Sequence, residues 1–246
     1  MFFVLGAIIA SFVGVLVARL HTGQGFLTGR SRCDACDTPL TYISLIPIAS
    51  YLIGNGRARC CGARVSAYAP VAELLLGTLF VLAYTVLGFT PALPLFLLSL
   101  SILLALVLYD LFHQILPSLL LVAFVITCTA TSILSSSQAL FFSNLLTAFF
   151  IALPLILIHF FSRGRAMGFA DAPLAFGLAL LTGPNALSGF VFSFWVGAVI
   201  GVALLYRRPV GSRMGVEVPF APFLAVGFLL AYFTQWNLFT FVAASL

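Results

Sequence analysis

Long apolar runs, broken by short polar stretches, fill this chain from one end to the other. An α-helix needs about 20 apolar residues to cross the ~30 Å hydrocarbon core of a bilayer. Runs of that kind predict helices near 2–18, 69–88, 92–109, 116–135, 139–161, 187–206 and 219–239, with a shorter eighth segment near 171–183. Gly183-Pro184-Asn185 predicts a tight turn after the short segment, because glycine and proline punctuate helices. The fold class is therefore all-α: a polytopic membrane protein of about eight transmembrane helices, with a cysteine-bearing cytoplasmic loop after the first. Two regions follow, the first helix with its loop over 1–68 and a helical membrane region over 69–246. The first run has no basic residue ahead of it, and Arg19 comes after it, so it reads as a span rather than a secretion signal.

Composition narrows the class. The chain is 63% hydrophobic and 7% charged, against roughly 25% charged residues in a soluble domain. Its basic residues are all arginine, and their positions set an orientation. Arg19, Arg30, Arg32, Arg57, Arg59 and Arg64 surround one loop, Arg163 and Arg165 sit in a second, and Arg207, Arg208 and Arg213 in a third, which accounts for all 11. The connections near 89–91, 136–138 and 184–186 and the end at 240–246 carry none. With eight spans, the arginine-bearing loops and the 110–115 connection fall on one side. The positive-inside rule makes that side cytoplasmic and puts both termini outside. The net charge of +5 is thereby a matter of topology. It suits a lipid surface and calls for no nucleic acid.

There are only six acids: Asp34, Asp37, Glu73, Asp110, Asp171 and Glu217. Asp110 ends a span in LYDLFHQILPS, and Asp171 opens one in GFADAPLAF. Carboxylates at or within a membrane span are costly and mark functional sites by default. Two readings stand for each. The bland one has it snorkel to the interface or cap its helix, and Asp171 is well placed as an N-cap. The other brings the pair together as a dyad that shares a proton and activates a water, one as base and one as acid. Gly168 would then let a substrate backbone approach closely. A proton-coupled transporter also uses buried acids, but near the midplane and often with internal repeats; both acids here read as boundary residues, and no repeat is visible.

Other polar groups have plainer readings. Glu73, in APVAELLLG, either pairs with a loop arginine or lines the cleft, and the structural pairing is the favoured reading. His113 and His159 read as interfacial histidines, with His113 near enough in sequence to tune Asp110. The small residues of GAIIASFVG and FWVGAVIG suit close helix packing. Cys33 and Cys36 form a C-x-x-C pair, and Cys60 and Cys61 follow as neighbours. Four cysteines in a cytoplasmic loop suggest a structural zinc site; four reduced thiols are the competing reading. A disulfide is disfavoured on that side of the membrane. Cys128 reads as a small core hydrophobe.

Five stretches, in order, resemble the type 4 prepilin leader peptidases, a group within the GxGD-type intramembrane aspartyl proteases. They are ASFVGVLVARL, the cysteine-bearing loop with its following helix, YDLFHQILPS, MGFADAPLAFGLALLTG and VPFAPFLAVG. The resemblance implies that Asp110 and Asp171 are the catalytic dyad of an inner-membrane aspartyl endopeptidase. Its substrates would be type IV prepilins or type II secretion pseudopilins, cut after a glycine on the cytoplasmic side. It also implies N-methylation of the new amino terminus from S-adenosylmethionine, although no glycine-rich methyltransferase loop is visible. Several positions depart from the family pattern. Ala170 replaces the second glycine of GxGD, Pro173 a usual lysine, and Ser118 a polar or acidic residue; Ala58 stands where the partner of Cys61 is expected. A catalytically impaired paralogue acting as a membrane binding or assembly factor is the alternative those departures leave open.

Overall fold

A computed structural model describes residues 1–20, 32–33, 35–41, 46–165, 167–206 and 219–238. The expectations attached to Arg30, Asp34, Arg207, Arg208, Arg213 and Glu217 lie outside the described residues. The described chain is helical: α1 (Phe2–Arg19), α2 (Ala49–Ile53), α3 (Tyr68–Leu87), α4 (Leu93–His113), α5 (Ser118–Ser135), α6 (Gln138–Ser162), α7 (Asp171–Thr182), α8 (Ala186–Tyr206) and α9 (Ala221–Thr234). Backbone polar groups in lipid must satisfy one another, which long uninterrupted helices do by themselves. Buried hydroxyls follow the same rule by bonding back one turn, as Ser99 does to the Leu95 carbonyl and Thr131 to that of Thr127. Many large apolar side chains point outward, Leu119 at 80% and Phe160 at 76% exposure among them. In water that surface would be a liability; against lipid it is the natural exterior.

Contacts divide the chain into two units, Met1–Gly88 and Phe89–Leu246. In the first, α1 and α3 pack antiparallel. The rings of Phe2 and Tyr84 stack at 4.6 Å, and Gly6 meets Gly77 so closely that a Cβ on Gly6 would sit 2.8 Å from the Gly77 Cα. The small-residue reading of GAIIASFVG holds at that point, whereas Gly14 faces open space. The loop between α1 and α3 contains α2 and the cysteines.

In the second unit α7 is buried along almost its whole length, from Asp171 to Thr182. It packs on α5, α6, α8 and α9. Gly177 lets α5 approach, since a Cβ there would lie 2.8 Å from the Phe124 ring. Cys128, on α5, is fully buried, as a core thiol should be. One turn of 3-10 helix, Gly183–Asn185, follows, and Gly183 takes the positive φ of 67° that glycine tolerates best. Asn185 then bonds Gln235, just past the end of α9, at 2.9 Å, while the ring of Phe194 meets Phe220 at the start of α9. Hence α8 runs antiparallel to α9.

Among the described residues, six stretches are long and apolar enough to cross a membrane. One of them, Asp171–Ala203, combines α7, the turn and α8, and α9 is a shorter apolar helix. The long stretches number six, where the sequence predicts seven and a shorter eighth segment. The short segment is α7, 12 residues long, and the difference lies in α9, 14 residues long.

Candidate functional site

Asp110 lies in the last turn of α4, which ends where Gln114 takes a left-handed φ of 55° and donates its N–H to the Asp110 carbonyl at 2.8 Å. The carboxylate is 6% exposed. Its Oδ2 accepts the backbone N–H of Ala221 at 3.2 Å. Ala221 is the first residue of α9, where helix N–H groups have no internal partner and the macrodipole is positive. A buried acid and an orphan donor thus satisfy each other, one from α4 and one from α9. VPFAPFLAVG stands out in the sequence, and Pro222 in the first turn is a legible helix start. Its partner, more than a hundred residues away, was not legible.

Asp171 is the first residue of α7 and is 9% exposed. The residue in the N-cap position is Ala170, and no side chain caps the helix. The capping reading of Asp171 is therefore not what the structure shows. The Asp171 N–H points back to the Gly168 carbonyl at 3.4 Å, and its carboxylate lies within electrostatic reach of Asp110. A Cβ on Gly168 would come 3.4 Å from Asp171 Oδ2, an ordinary contact, so Gly168 lies directly beside that oxygen. The end of α4 and the start of α7 thus place two buried acids in one unit. His113 is exposed and stacks on Tyr109 at 4.3 Å. His159 does more than mark an interface: its Nδ1 lies 2.9 Å from the Met167 carbonyl, in the approach to Asp171.

Glu73 is buried in the second turn of α3, and among the described residues it accepts the backbone N–H of Ile48 at 2.7 Å. Ile48 sits at φ 60°, uncommon for a β-branched residue, so the carboxylate secures a strained turn ahead of α2. Among the described residues the ion pair is Arg32 with Asp37, exposed, at 2.9 Å.

The loop of the first unit is built from two equivalent turns. In one, Cys33 N–H donates to the Thr38 carbonyl and Asp37 N–H to that of Cys33, with Asp37 at φ 54°. In the other, Ala58 N–H donates to the Ala63 carbonyl and Gly62 N–H to that of Ala58, with Gly62 at φ 71°. A short antiparallel bridge flanks each, Arg32 with Pro39 and Arg57 with Arg64. Superimposed in register, Cys36 corresponds to Cys61 and Cys33 to Ala58. The thiol missing at Ala58 comes from Cys60 instead. The sulfurs of Cys33, Cys36, Cys60 and Cys61 all lie within 4.8 Å of one another. Cys33 to Cys61 and Cys60 to Cys61 are each 3.8 Å, and Cys36 to Cys60 is 3.3 Å. Thiolates at ~2.3 Å around a tetrahedral ion stand about 3.8 Å apart, so this set fits a four-sulfur metal centre. Hydrogen bonds from Thr38, 2.5 Å away through its hydroxyl, pull the Cys36 thiol down to about 6. Contact with Cys36 pushes Cys60 up to about 11.

The fold and these two groups define a helical multi-pass membrane protein with a pair of buried acids and a four-cysteine loop. Residues 4–87 match the family model described as the bacterial peptidase A24 N-terminal domain. A prepilin leader peptidase/N-methyltransferase of Bacillus subtilis (strain 168) is 30% identical over 231 residues, covering 94% of this chain and 92% of the relative. One from Myxococcus xanthus (strain DK1622) is 33% identical over 216 residues, covering 82% of this chain and 62% of the relative. No solved structure matches. The chain belongs to the prepilin leader peptidase/N-methyltransferase family and is a multi-pass protein of the bacterial inner membrane.

Proposed function

We propose that this protein is an aspartyl endopeptidase that removes the leader from type IV prepilins or type II secretion pseudopilins, with Asp110 and Asp171 as its catalytic residues. The observation that carries this is the pair of buried carboxyl groups in one unit, Asp110 held by the start of α9 and Asp171 at the start of α7. One carboxylate takes a proton from a water as the oxygen adds to the carbonyl carbon of the leader glycine. The other, protonated, donates to the carbonyl oxygen. As the tetrahedral intermediate collapses, the C–N bond breaks and the departing amine takes a proton from the dyad. The products are a leader ending in a carboxylate and a mature chain with a free α-amino group.

The hairpin of α7 and α8, together with α9, supports a topology of eight crossings with both termini outside and the arginine-bearing loops in the cytoplasm. Residues 1–68 serve as the helix-and-loop module and 69–246 as the peptidase domain. Cys33, Cys36, Cys60 and Cys61 hold one structural zinc ion, which cross-links the loop. N-methylation of the new amino terminus, from S-adenosylmethionine, is the second activity carried by the relatives' shared name; no group among the described residues is assigned to the donor.

The test is cleavage of a prepilin by wild type, Asp110→Asn and Asp171→Asn, in membranes or detergent. Wild type cuts after the leader glycine, and each variant, folded and inserted, loses at least roughly 100-fold in rate, as removal of a general acid or base does. A wild type inert on several prepilins, or a variant that cuts normally, moves the assembly-factor reading ahead.

A further inference from the structure

We infer that His159 is a positioning residue for Asp171, holding residues 167–169 ahead of α7 in the arrangement that presents the carboxylate. The inference rests on the reading of Asp171 as catalytic. It begins with how α6 ends. Arg163 takes a left-handed φ of 53° and Gly164 a φ of 77°, and the Gly164 N–H returns to the His159 carbonyl at 2.9 Å. The backbone of His159 thus closes its own helix. Its side chain reaches the other end of the connection. Nδ1 lies 2.9 Å from the Met167 carbonyl, and a carbonyl only accepts, so Nδ1 carries the hydrogen.

The same ring meets Phe169 edge-on, with centroids 5.6 Å apart. A hydrogen bond and a ring contact therefore fix residues on both sides of Gly168. Gly168 is the residue whose carbonyl faces the Asp171 N–H and whose Cα side adjoins Oδ2. His159 is half-buried, so the bond to Met167 is partly sheltered from competing water. Glycine has no side chain with which to hold itself in place, and Ala170 provides no polar group either. Besides the N–H groups of α7 that bond the carbonyls of residues 168–170, the imidazole on α6 is a side chain among the described residues that holds this short segment.

Three variants separate the donor from the ring. His159→Asn keeps an N–H donor at the δ position, His159→Gln moves the donor one methylene further out, and His159→Phe keeps the ring and removes the donor. Steady-state cleavage of a prepilin fragment is measured for each, beside Asp171→Asn. Expected are a kcat close to wild type for His159→Asn and losses on the order of 10- to 100-fold for the other two, with KM little changed, as for a small misplacement of a reacting group. A wild-type kcat in His159→Phe overturns the inference, and so does His159→Asn performing no better than His159→Gln. Should His159→Phe fail to accumulate, the Asn and Gln pair decides between these outcomes.

Hydrogen exchange across residues 167–171 gives a readout independent of activity. Exchange is faster in His159→Gln than in wild type and restored in His159→Asn; equal exchange in all three also sinks the inference. If Asp171→Asn cuts normally, the peptidase reading fails, and the exchange result still reports on the restraint.

Discussion

At the scale of single residues, Ala58 and Cys60 test whether the four-sulfur loop holds a metal as its geometry suggests. The two turns share their hydrogen bonds and positive-φ residues, yet one begins with Cys33 and the other with Ala58. Replacement of Cys60 by serine is expected to weaken zinc binding at least about tenfold, since even outer-shell changes cost that much. Zinc content after competition with a chelator measures it. The double change Ala58→Cys with Cys60→Ala should bring binding back, because the thiol then occupies the position matching Cys33. If the wild-type protein carries no zinc, the loop is a set of reduced thiols. The sequence makes the cysteines visible, but adjacent cysteines look like an awkward pair of ligands. Only the fold of the second turn shows that Cys60 and Cys61 can both face the same centre.

Helices in this protein meet through glycine, and the contacts are specific enough to be broken one at a time. In the first unit, Gly6→Leu would drive a side chain into the backbone of α3 at Gly77. A cost of about 1–3 kcal/mol is expected for such overpacking, read as a lower thermal midpoint and faster proteolysis. Gly14→Leu, facing open space, should be close to neutral. In the second unit, a Cβ on Gly227 would overlap the backbone N of Ser193 and its hydroxyl. Gly227→Ala must therefore push α9 from α8, and with α9 goes the Ala221 N–H that Asp110 accepts. Cleavage should fall in this variant even while the protein remains inserted, whereas Gly201→Ala, with no neighbour in reach, should cut as wild type does. The glycines are visible in sequence as packing candidates. Which of them bear contact depends on helix rotation, which weakly directional apolar faces do not encode.

For the whole molecule, topology is the property most open to direct measurement. Reporter fusions at Thr90 and Ser137 should show the outside face, and one at Arg165 the cytoplasmic face. A reversed signal at any of these points refutes the eight-crossing arrangement. The two short helices decide this matter. A helix of 12 residues rises only about 18 Å, less than the ~30 Å core, so α7 cannot cross by length alone. Its buried position among α5, α6, α8 and α9 lets neighbouring protein rather than lipid surround it.

Hydrophobic length and the placement of arginines, both local properties, determined from the sequence alone that this is a helical multi-pass membrane protein with four of its five cysteines in the first loop. The order of five motif stretches pointed to the family, because a pattern distributed along a chain is hard to match by chance. What the tertiary structure decided is who touches whom: Asp110 with the start of α9, Glu73 with the Ile48 backbone, Cys60 in place of position 58, and His159 with the Met167 carbonyl. Each of these is a bond to a backbone group or an adjustment of backbone register. Every residue carries the same N–H and C=O, so the sequence cannot mark which of them a side chain will find; only the packing of helices in space makes that choice.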